Sequence, residues 1–163
     1  MSDKRILDII TSPADLKLLS NEELSILAGE IRHEIVTTTS KTGGHVASSL
    51  GAVEIILALH SLLDCPKDKI VFDVGHQAYA HKLVTGRLKD FGTLRTYGGL
   101  SGFPKPSESP YDVHYSGHAS DSLSVALGLA EARDLAGADQ KIVALIGDAA
   151  LSGGMAFEAL NNI

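Results

Sequence analysis

The chain has 163 residues, of which 44% are hydrophobic and 21% are charged, and its formal net charge is -6. This balance is typical of a globular domain or of part of a larger one, and the scattered basic residues argue against nucleic acid as a partner. A single cysteine excludes an intrachain disulfide, and because no apolar run approaches the ~20 residues of a membrane span, we expect a cytoplasmic protein without a membrane segment.

Helices are predicted along the N-terminal part of the chain. Ser12 is placed to cap a short helix that begins at Pro13. Residues 20–23 form a capping-box pattern, and the apolar residues that follow recur at helical spacing, which predicts a helix to about Thr38 that fails at the glycines behind it. A second helix, apolar almost all round and therefore deeply buried, is expected over residues 50–63.

Two short apolar runs predict buried strands, at residues 69–74 and 142–146. Between them lies a stretch rich in glycine, proline and serine, over residues 92–117, which predicts mainly loop. A strong helix is expected over residues 122–136, and a further one is in progress at residues 156–163. Strands that alternate with helices predict an α/β fold with a parallel sheet, and two strands make so small a sheet that we expect part of a domain.

Glycine precedes three of the seven histidines, His45, His76 and His118, which is more often than composition predicts. A glycine at such a position lets the backbone turn sharply or approach a ligand closely. Each pair lies where a strand or loop meets a helix, the edge at which α/β proteins place their ligands. Each of these histidines could instead be satisfied by backbone hydrogen bonds. No functional role is predicted for the other four, His33, His60, His81 and His114.

Asp148 follows Gly147 at the end of the second predicted strand, where a carboxylate commonly binds Mg²⁺ together with phosphate oxygens and water. A helix that begins near residues 153–154 would direct free backbone N–H groups to the same place, which suits a diphosphate. Asp148 could equally cap that helix. The small polar residues at positions 117–122 are ready N-caps that would also favour an anion, so both explanations stay open for them.

Several segments, in order and spacing, resemble the 1-deoxy-D-xylulose-5-phosphate synthase family, and the likeness extends over nearly the whole chain from about Leu19. They are Ser40 to His45, Asp73 to Tyr79, His81 to Lys82, Thr85 to Arg87, Gly98 to Phe103, Glu108 to Ser109 and Gly153 to Asn162. Residues 73–77 and 108–112 separate the family from transketolase, its broader relative.

The resemblance implies a thiamine-diphosphate enzyme. The family condenses pyruvate with D-glyceraldehyde 3-phosphate, with loss of CO₂, and its product serves isoprenoid, thiamine and pyridoxal synthesis. The reaction needs a thiazolium ylid, which no side chain supplies, so the protein orients and tunes its cofactor. The implied fold is a doubly wound α/β thiamine-diphosphate-binding domain in a tight homodimer, and the chain is expected to hold only the N-terminal part of its parallel sheet.

The resemblance also implies roles for particular residues. His45 would lie over the reacting carbon and move protons or steady the substrate, which suits a side chain whose pKa lies near the working pH. His76 would contact the cofactor and the substrate phosphate. Further contacts are implied for Gly117, His118 and Ala119 along the cofactor, for Asp148 with Mg²⁺, and for the backbone N–H groups of Ala149 and Ala150 with the diphosphate.

Two positions depart from the family pattern. Ala149 stands where the family has glycine after the metal-binding aspartate, which would cost about 1 kcal/mol if that position requires a positive φ. Ala119 removes a hydroxyl from the segment at 117–122, where backbone contacts would survive.

The family's metal motif continues past residue 163 to an asparagine, and its second domain holds the glutamate that activates the cofactor. We therefore expect residues 1–19 to form an N-terminal arm, residues 20–163 to form a partial cofactor-binding domain, and the isolated chain to be inactive. The alternatives are the small subunit of a split transketolase-like enzyme and a non-catalytic binding remnant of the fold.

Overall fold

The computed structural model describes residues 4–163, which form two compact units. The first comprises residues 4–64 and 76–102, and the second comprises 65–75 and 103–163. The first unit contains helices α1 (Asn21–Thr42), α2 (Val46–Gly51), α3 (Val53–Leu62) and α4 (Tyr79–Lys82), 3-10 helices at Ile6–Ile9, Pro13–Leu18 and Phe91–Thr93, and a π-helical turn at Leu83–Arg87. The second contains strands β1 (Lys69–Phe72) and β2 (Ile142–Leu145) and helices α5 (Ser122–Leu135), α6 (Asp148–Leu151) and α7 (Gly154–Asn162).

Helix α1 begins at the predicted capping box. The Ser20 N–H donates to Oε2 of Glu23 at 2.8 Å, and the Glu23 N–H donates to Oγ of Ser20 at 3.2 Å. This reciprocal pair satisfies backbone donors that the helix itself leaves without partners. The apolar stripe of the helix is fully buried at Leu27, Ile31 and Ile35. Gly43, with φ 72, ends the helix, so the prediction is confirmed and the helix runs one turn further than expected.

The segment before α1 is attached to that helix by a buried side chain and a backbone hydrogen bond. Leu7 is fully buried, and its N–H donates to Oε2 of Glu30 in α1 at 2.7 Å. The predicted helix start at Ser12 is confirmed as the start of a 3-10 helix, where Asp15 accepts the Ser12 N–H at 2.9 Å. A separate N-terminal arm over residues 1–19 stays a prediction.

The single helix predicted over residues 50–63 is divided into α2 and α3, because Ala52, with φ -98 and ψ 0, lies outside helical geometry. The expectation that this segment is deeply buried holds for one face only. One face of α3 is buried at Val53, Ile56 and Leu57, whereas Ile55 is 47% exposed. Since successive helical residues point about 100° apart, an apolar sequence alone does not make every face of a helix a contact face.

Strands β1 and β2 pair in parallel, with Lys69 opposite Ile142 and Phe72 opposite Leu145. This confirms the predicted parallel pair, although each strand is shorter than expected. The helices of this unit and the two strands make it an α/β arrangement, and the doubly wound order of a larger sheet stays a prediction. No helix that the structure describes combines the length and apolar character that a membrane crossing requires.

A buried pair of histidines links α3 to α4 inside the first unit. Nε2 of His60 lies 2.9 Å from Nδ1 of His81, and the two rings stack with their planes 17° apart. Burial, then the neighbouring His81 and Arg87, lowers the pKa of His60 to about 3. His60 is therefore neutral in the folded chain at any pH near neutrality.

We predict that acid destabilises the folded chain through His60. Its folded pKa of about 3 lies below the ordinary value of 6.5, so between these values the unfolded chain binds more protons than the folded one. The stabilisation by neutral His60 is therefore complete above pH 6.5 and is lost as the pH falls, by up to about 1.4 kcal/mol per pH unit. Urea unfolding across this pH range measures the slope.

The variant His60→Gln should reduce the slope of the unfolding free energy against pH by the contribution of about one proton. The reason is that it removes an imidazole that, in this pH range, is protonated in the unfolded chain but not in the folded one. His33→Gln is the matched control, because His33 lies on the exposed face of α1. Equal slopes in the unmodified chain and in His60→Gln would contradict the assignment of the acid sensitivity to His60.

Candidate functional site

A strained turn follows β1 in the second unit. Val74 adopts φ 58, a conformation that is a genuine outlier for a β-branched residue. Gly75 follows with φ 80, and a Cβ at this position would lie 2.4 Å from Cδ of Pro104. The Val74 N–H donates to the carbonyl of His118 at 3.2 Å. Backbone strain of this kind persists only where surrounding contacts enforce it, and it is concentrated at functional sites.

The carboxylate of Asp73, 1% exposed, connects the same strand end to the segment that precedes α5. Its Oδ1 accepts the Ser120 N–H at 2.9 Å, and its Oδ2 accepts the Ser122 N–H at 3.2 Å and the Ser122 hydroxyl at 2.7 Å. These bonds cross 47 to 49 residues of sequence. They fix the path of the backbone just before helix α5.

Gly117, His118 and Ala119 therefore form an exposed turn that is held at its C-terminal side. Gly117 adopts φ 128, which favours glycine. Three polar atoms along residues 114–121 are buried without a hydrogen-bond partner: Nε2 of His114, Oγ of Ser116 and Oδ1 of Asp121. The His114 and Asp121 atoms are 3.9 Å apart, too far for a hydrogen bond. Unsatisfied polar groups beside an exposed turn fit a polar ligand or ordered water.

Asp148 is the first residue of α6 and is exposed, as a metal ligand that also leaves room for phosphate oxygens and water should be. Ala149 lies within α6 and is not among the described residues with positive φ, so alanine costs little in place of glycine. The α6 start leaves N–H groups of its first turn without helical acceptors. Within residues 4–163, no group of three or more His, Cys, Asp or Glu side chains is arranged to hold a metal ion.

His45 lies in the first unit between α1 and α2. Its N–H donates to the Tyr79 hydroxyl at 3.2 Å, and the same hydroxyl is 3.4 Å from its Nδ1. Gly44, with φ 146, precedes it, and a Cβ on Gly44 would lie 2.6 Å from that hydroxyl. Glycine is therefore required for this approach, and the fully buried Tyr79 sets the position of the half-buried imidazole.

His76 is the second histidine of this unit that sequence predicts to be functional. Its ring lies 5.9 Å from the His45 ring in a T-shaped arrangement. The hydroxyls of Ser48 and Ser49 donate to its carbonyl at 3.2 and 3.0 Å, which ties it to α2. Its Nδ1 is buried without a hydrogen-bond partner. That orphaned nitrogen fits a polar group supplied by a ligand.

Burial lowers the pKa of His45, and the electrostatic effects of the neighbouring Arg95 and His76 lower it further. A histidine with a reduced pKa is unprotonated at neutral pH and can accept a proton. Arg95 itself adopts φ 63 in an exposed loop. The site thus combines a positioned imidazole with a nearby cation.

The predicted residues fall into two groups. The structure brings His45 and His76 together in the first unit, and it joins the 117–119 turn to the α6 segment, 148–150, in the second. All three glycines of the Gly-His pairs adopt positive φ, which confirms the reason given for their presence.

Sequence reasoning missed four residues that shape these groups: Asp73, Tyr79, Arg95 and Ser120. Asp73 and Tyr79 lie in a segment that carries the family resemblance, which was a usable signal. Ser120 lies in the polar segment 117–122, for which capping or anion binding was predicted, but its positioning contacts lie 30 and 47 residues away and leave no local pattern.

Residues 7–163 match the family model described as 1-deoxy-D-xylulose-5-phosphate synthase. A protein of that name from Thermus thermophilus is 64% identical over 158 residues, which are 97% of this chain and 26% of that protein. 1-deoxy-D-xylulose-5-phosphate synthase 2 of Geobacter sulfurreducens is 63% identical over 158 residues, 97% of this chain and 25% of that protein. The chain thus spans about a quarter of the length of the curated relatives it matches.

The second unit belongs to the α/β class, because its strands are parallel and turns and the start of a helix follow their carboxyl ends. Proteins of this class bind their ligands at that edge of the sheet. The sequence match makes the assignment specific. The chain belongs to the 1-deoxy-D-xylulose-5-phosphate synthase family.

We predict that His45 titrates below the ordinary pKa of 6.5. Carbethoxylation by diethylpyrocarbonate requires the neutral imidazole, so its pH dependence, read on the His45 peptide by mass spectrometry, measures this pKa. Arg95→Gln should raise the midpoint, because it removes a positive charge that disfavours protonation.

Lys17→Gln is the control, since Lys17 is a cation of the same unit that pairs with Asp64 and does not act on His45. A midpoint above 6.5, or equal shifts in the two variants, would contradict the assigned causes.

Proposed function

We propose that the complete protein containing this chain is a thiamine-diphosphate-dependent transferase that condenses pyruvate with D-glyceraldehyde 3-phosphate, with loss of CO₂. The observation that carries the proposal is the 63 to 64% identity over 97% of the chain to proteins named 1-deoxy-D-xylulose-5-phosphate synthase. The product would serve isoprenoid and thiamine synthesis. A cytoplasmic homodimer is part of the same proposal.

The second unit would hold the diphosphate end of the cofactor. Asp148 would bind Mg²⁺, and the N–H groups of Ala149 and Ala150 at the start of α6 would donate to the diphosphate. The turn at Gly117, His118 and Ala119 would line the cofactor through its backbone. The exposed position of Asp148 and the buried unsatisfied atoms beside the turn support this assignment.

When bound, thiamine diphosphate supplies the nucleophile and the electron sink that the reaction needs. The residues of the first unit would transfer protons and form hydrogen bonds to the bound groups. His45, unprotonated near neutrality and fixed by Tyr79, would accept and return a proton at its imidazole. His76, held at its carbonyl by two serine hydroxyls, would donate or accept at Nδ1 toward the cofactor or the substrate phosphate.

We predict that Asp148→Asn weakens Mg²⁺-dependent binding of thiamine diphosphate by the complete protein. A directly coordinating carboxylate should matter at least as much as the outer-shell partners of a metal site, whose loss costs about 10–100-fold in affinity. Calorimetric titrations with the cofactor at a series of Mg²⁺ concentrations measure the effect.

The control is Asp139→Asn, which removes an exposed carboxylate of the same unit that pairs with Lys67 at 2.9 Å. If Asp148 merely begins a helix, its variant would lower the melting temperature and leave the Mg²⁺ dependence unchanged. That result would reject Asp148 as the metal ligand.

We further predict that residues 1–163 alone show no turnover of pyruvate and D-glyceraldehyde 3-phosphate, whereas the complete protein does. By resemblance, the second metal ligand and the activating glutamate lie outside these residues. Release of CO₂ from labelled pyruvate, measured for both proteins at equal concentration, tests this. Turnover by the 163-residue chain would overturn the prediction, and cofactor binding without turnover by the complete protein would favour a binding remnant.

A further inference from the structure

Ser120 occupies an unusual position at the carboxyl edge of the strand pair. It is 6% exposed, and it adopts φ 73 although it is not glycine. This conformation is disfavoured for a residue with a Cβ. Such a residue is retained in a strained conformation where several contacts determine its position together.

The first of these contacts is the hydrogen bond from the Ser120 N–H to Oδ1 of Asp73 at 2.9 Å. Asp73 follows β1 directly and is itself buried. Ser120 is therefore fixed to the end of a core strand through its backbone, independently of its side chain.

The second contact uses the side chain. Oγ of Ser120 donates to the carbonyl of Ala150 at 2.7 Å. Ala150 lies in α6, two residues after Asp148, and the same carbonyl accepts the Gly153 N–H at 3.1 Å. The Ser120 hydroxyl is thus bonded to a carbonyl within α6 that also accepts a hydrogen bond from the turn to α7.

The third contact is steric. A Cβ on Gly153 would lie 2.1 Å from Oγ of Ser120 and 2.9 Å from its Cβ. Only glycine permits this approach, which places the residue before α7 directly against the Ser120 side chain. One serine therefore touches the strand end, α6 and the start of α7.

We propose that Ser120 is a positioning residue that sets the distance between the cofactor turn, residues 117–119, and the α6 segment that begins with Asp148. The proposal rests on the proposed function, because it concerns the two elements assigned to thiamine diphosphate and Mg²⁺. Ser120 does not touch the cofactor in this assignment. It keeps the turn and the metal-binding helix at a fixed relative position, so that both can bind the same diphosphate and its metal ion.

Removing the hydroxyl should leave the turn attached to Asp73 and release α6 from it. The apparent Kd for thiamine diphosphate at saturating Mg²⁺ should then rise by about tenfold, as is usual for groups that orient a metal site without contacting it. The Mg²⁺ concentration needed for half-maximal binding should rise in parallel, because both ligands depend on the same relative position of the turn and α6.

The experiment compares Ser120→Ala with Ser122→Ala in the complete protein. Ser122 is also a buried serine, and its hydroxyl makes a bond of the same 2.7 Å length, but to Asp73 instead of α6. Each variant loses one side-chain hydrogen bond, and because the bond of Ser122 is to a buried carboxylate, Ser122→Ala should lower the melting temperature at least as much as Ser120→Ala. Ser120→Ala should raise the Kd for thiamine diphosphate, measured by calorimetry with Mg²⁺ present, by more than Ser122→Ala does, because in Ser122→Ala the N–H groups of Ser120 and Ser122 still hold the turn on Asp73.

Amide hydrogen exchange of the unliganded protein gives a readout that does not depend on the cofactor. Ser120→Ala should speed exchange over residues 149–154, whereas Ser122→Ala should affect the start of α5. If both variants raise the Kd equally, or if exchange over 149–154 is unchanged in Ser120→Ala, the proposal is overturned. If the unmodified protein fails to bind thiamine diphosphate, the proposed function fails, and the exchange experiment still decides whether Ser120 holds α6.

Discussion

Asp73 is the residue that follows β1, and its carboxylate accepts three hydrogen bonds from the segment that leads into α5. A buried carboxylate without donors would destabilise the fold strongly, whereas one that accepts at both oxygens can be retained in the interior. The contact thus fixes the loop more firmly than its glycine- and serine-rich sequence could. The turn at residues 117–119 and, through Ser120, helix α6 depend on this single anchor.

Strain in the backbone is a consequence of the same anchor. Val74 and Ser120 both have positive φ without being glycine, and each donates its N–H to the facing segment, to His118 and Asp73 respectively. Two strained residues on adjoining segments at one edge of a parallel pair show how closely the loops are held there. A rigid edge of this kind suits a ligand whose diphosphate must be met by backbone N–H groups at fixed distances.

Local sequence patterns predicted the elements that are stabilised locally. The capping box at Ser20 and the spacing of Leu27 and Ile31 define α1, and apolar runs define both strands. The break at Ala52 and the exposure of Ile55 depend on which neighbours each helix face meets, so they escaped prediction. The site was predicted through the glycines before its histidines and through family resemblance. The contacts that position it join residues 27 to 49 apart, and no local pattern reports such pairs.

The histidines of the first unit show why residue type alone does not identify function. His60 and His81 bond to each other in the interior, where burial keeps His60 neutral and closes it to any substrate. His45 and His76 are also close together, but both are half-buried, and one ring nitrogen of His76 lacks a partner. Partial burial lowers the pKa of His45 without removing the imidazole from contact with a ligand. Glycine at position 44 permits this intermediate placement, because any larger residue would collide with the tyrosine that holds the ring.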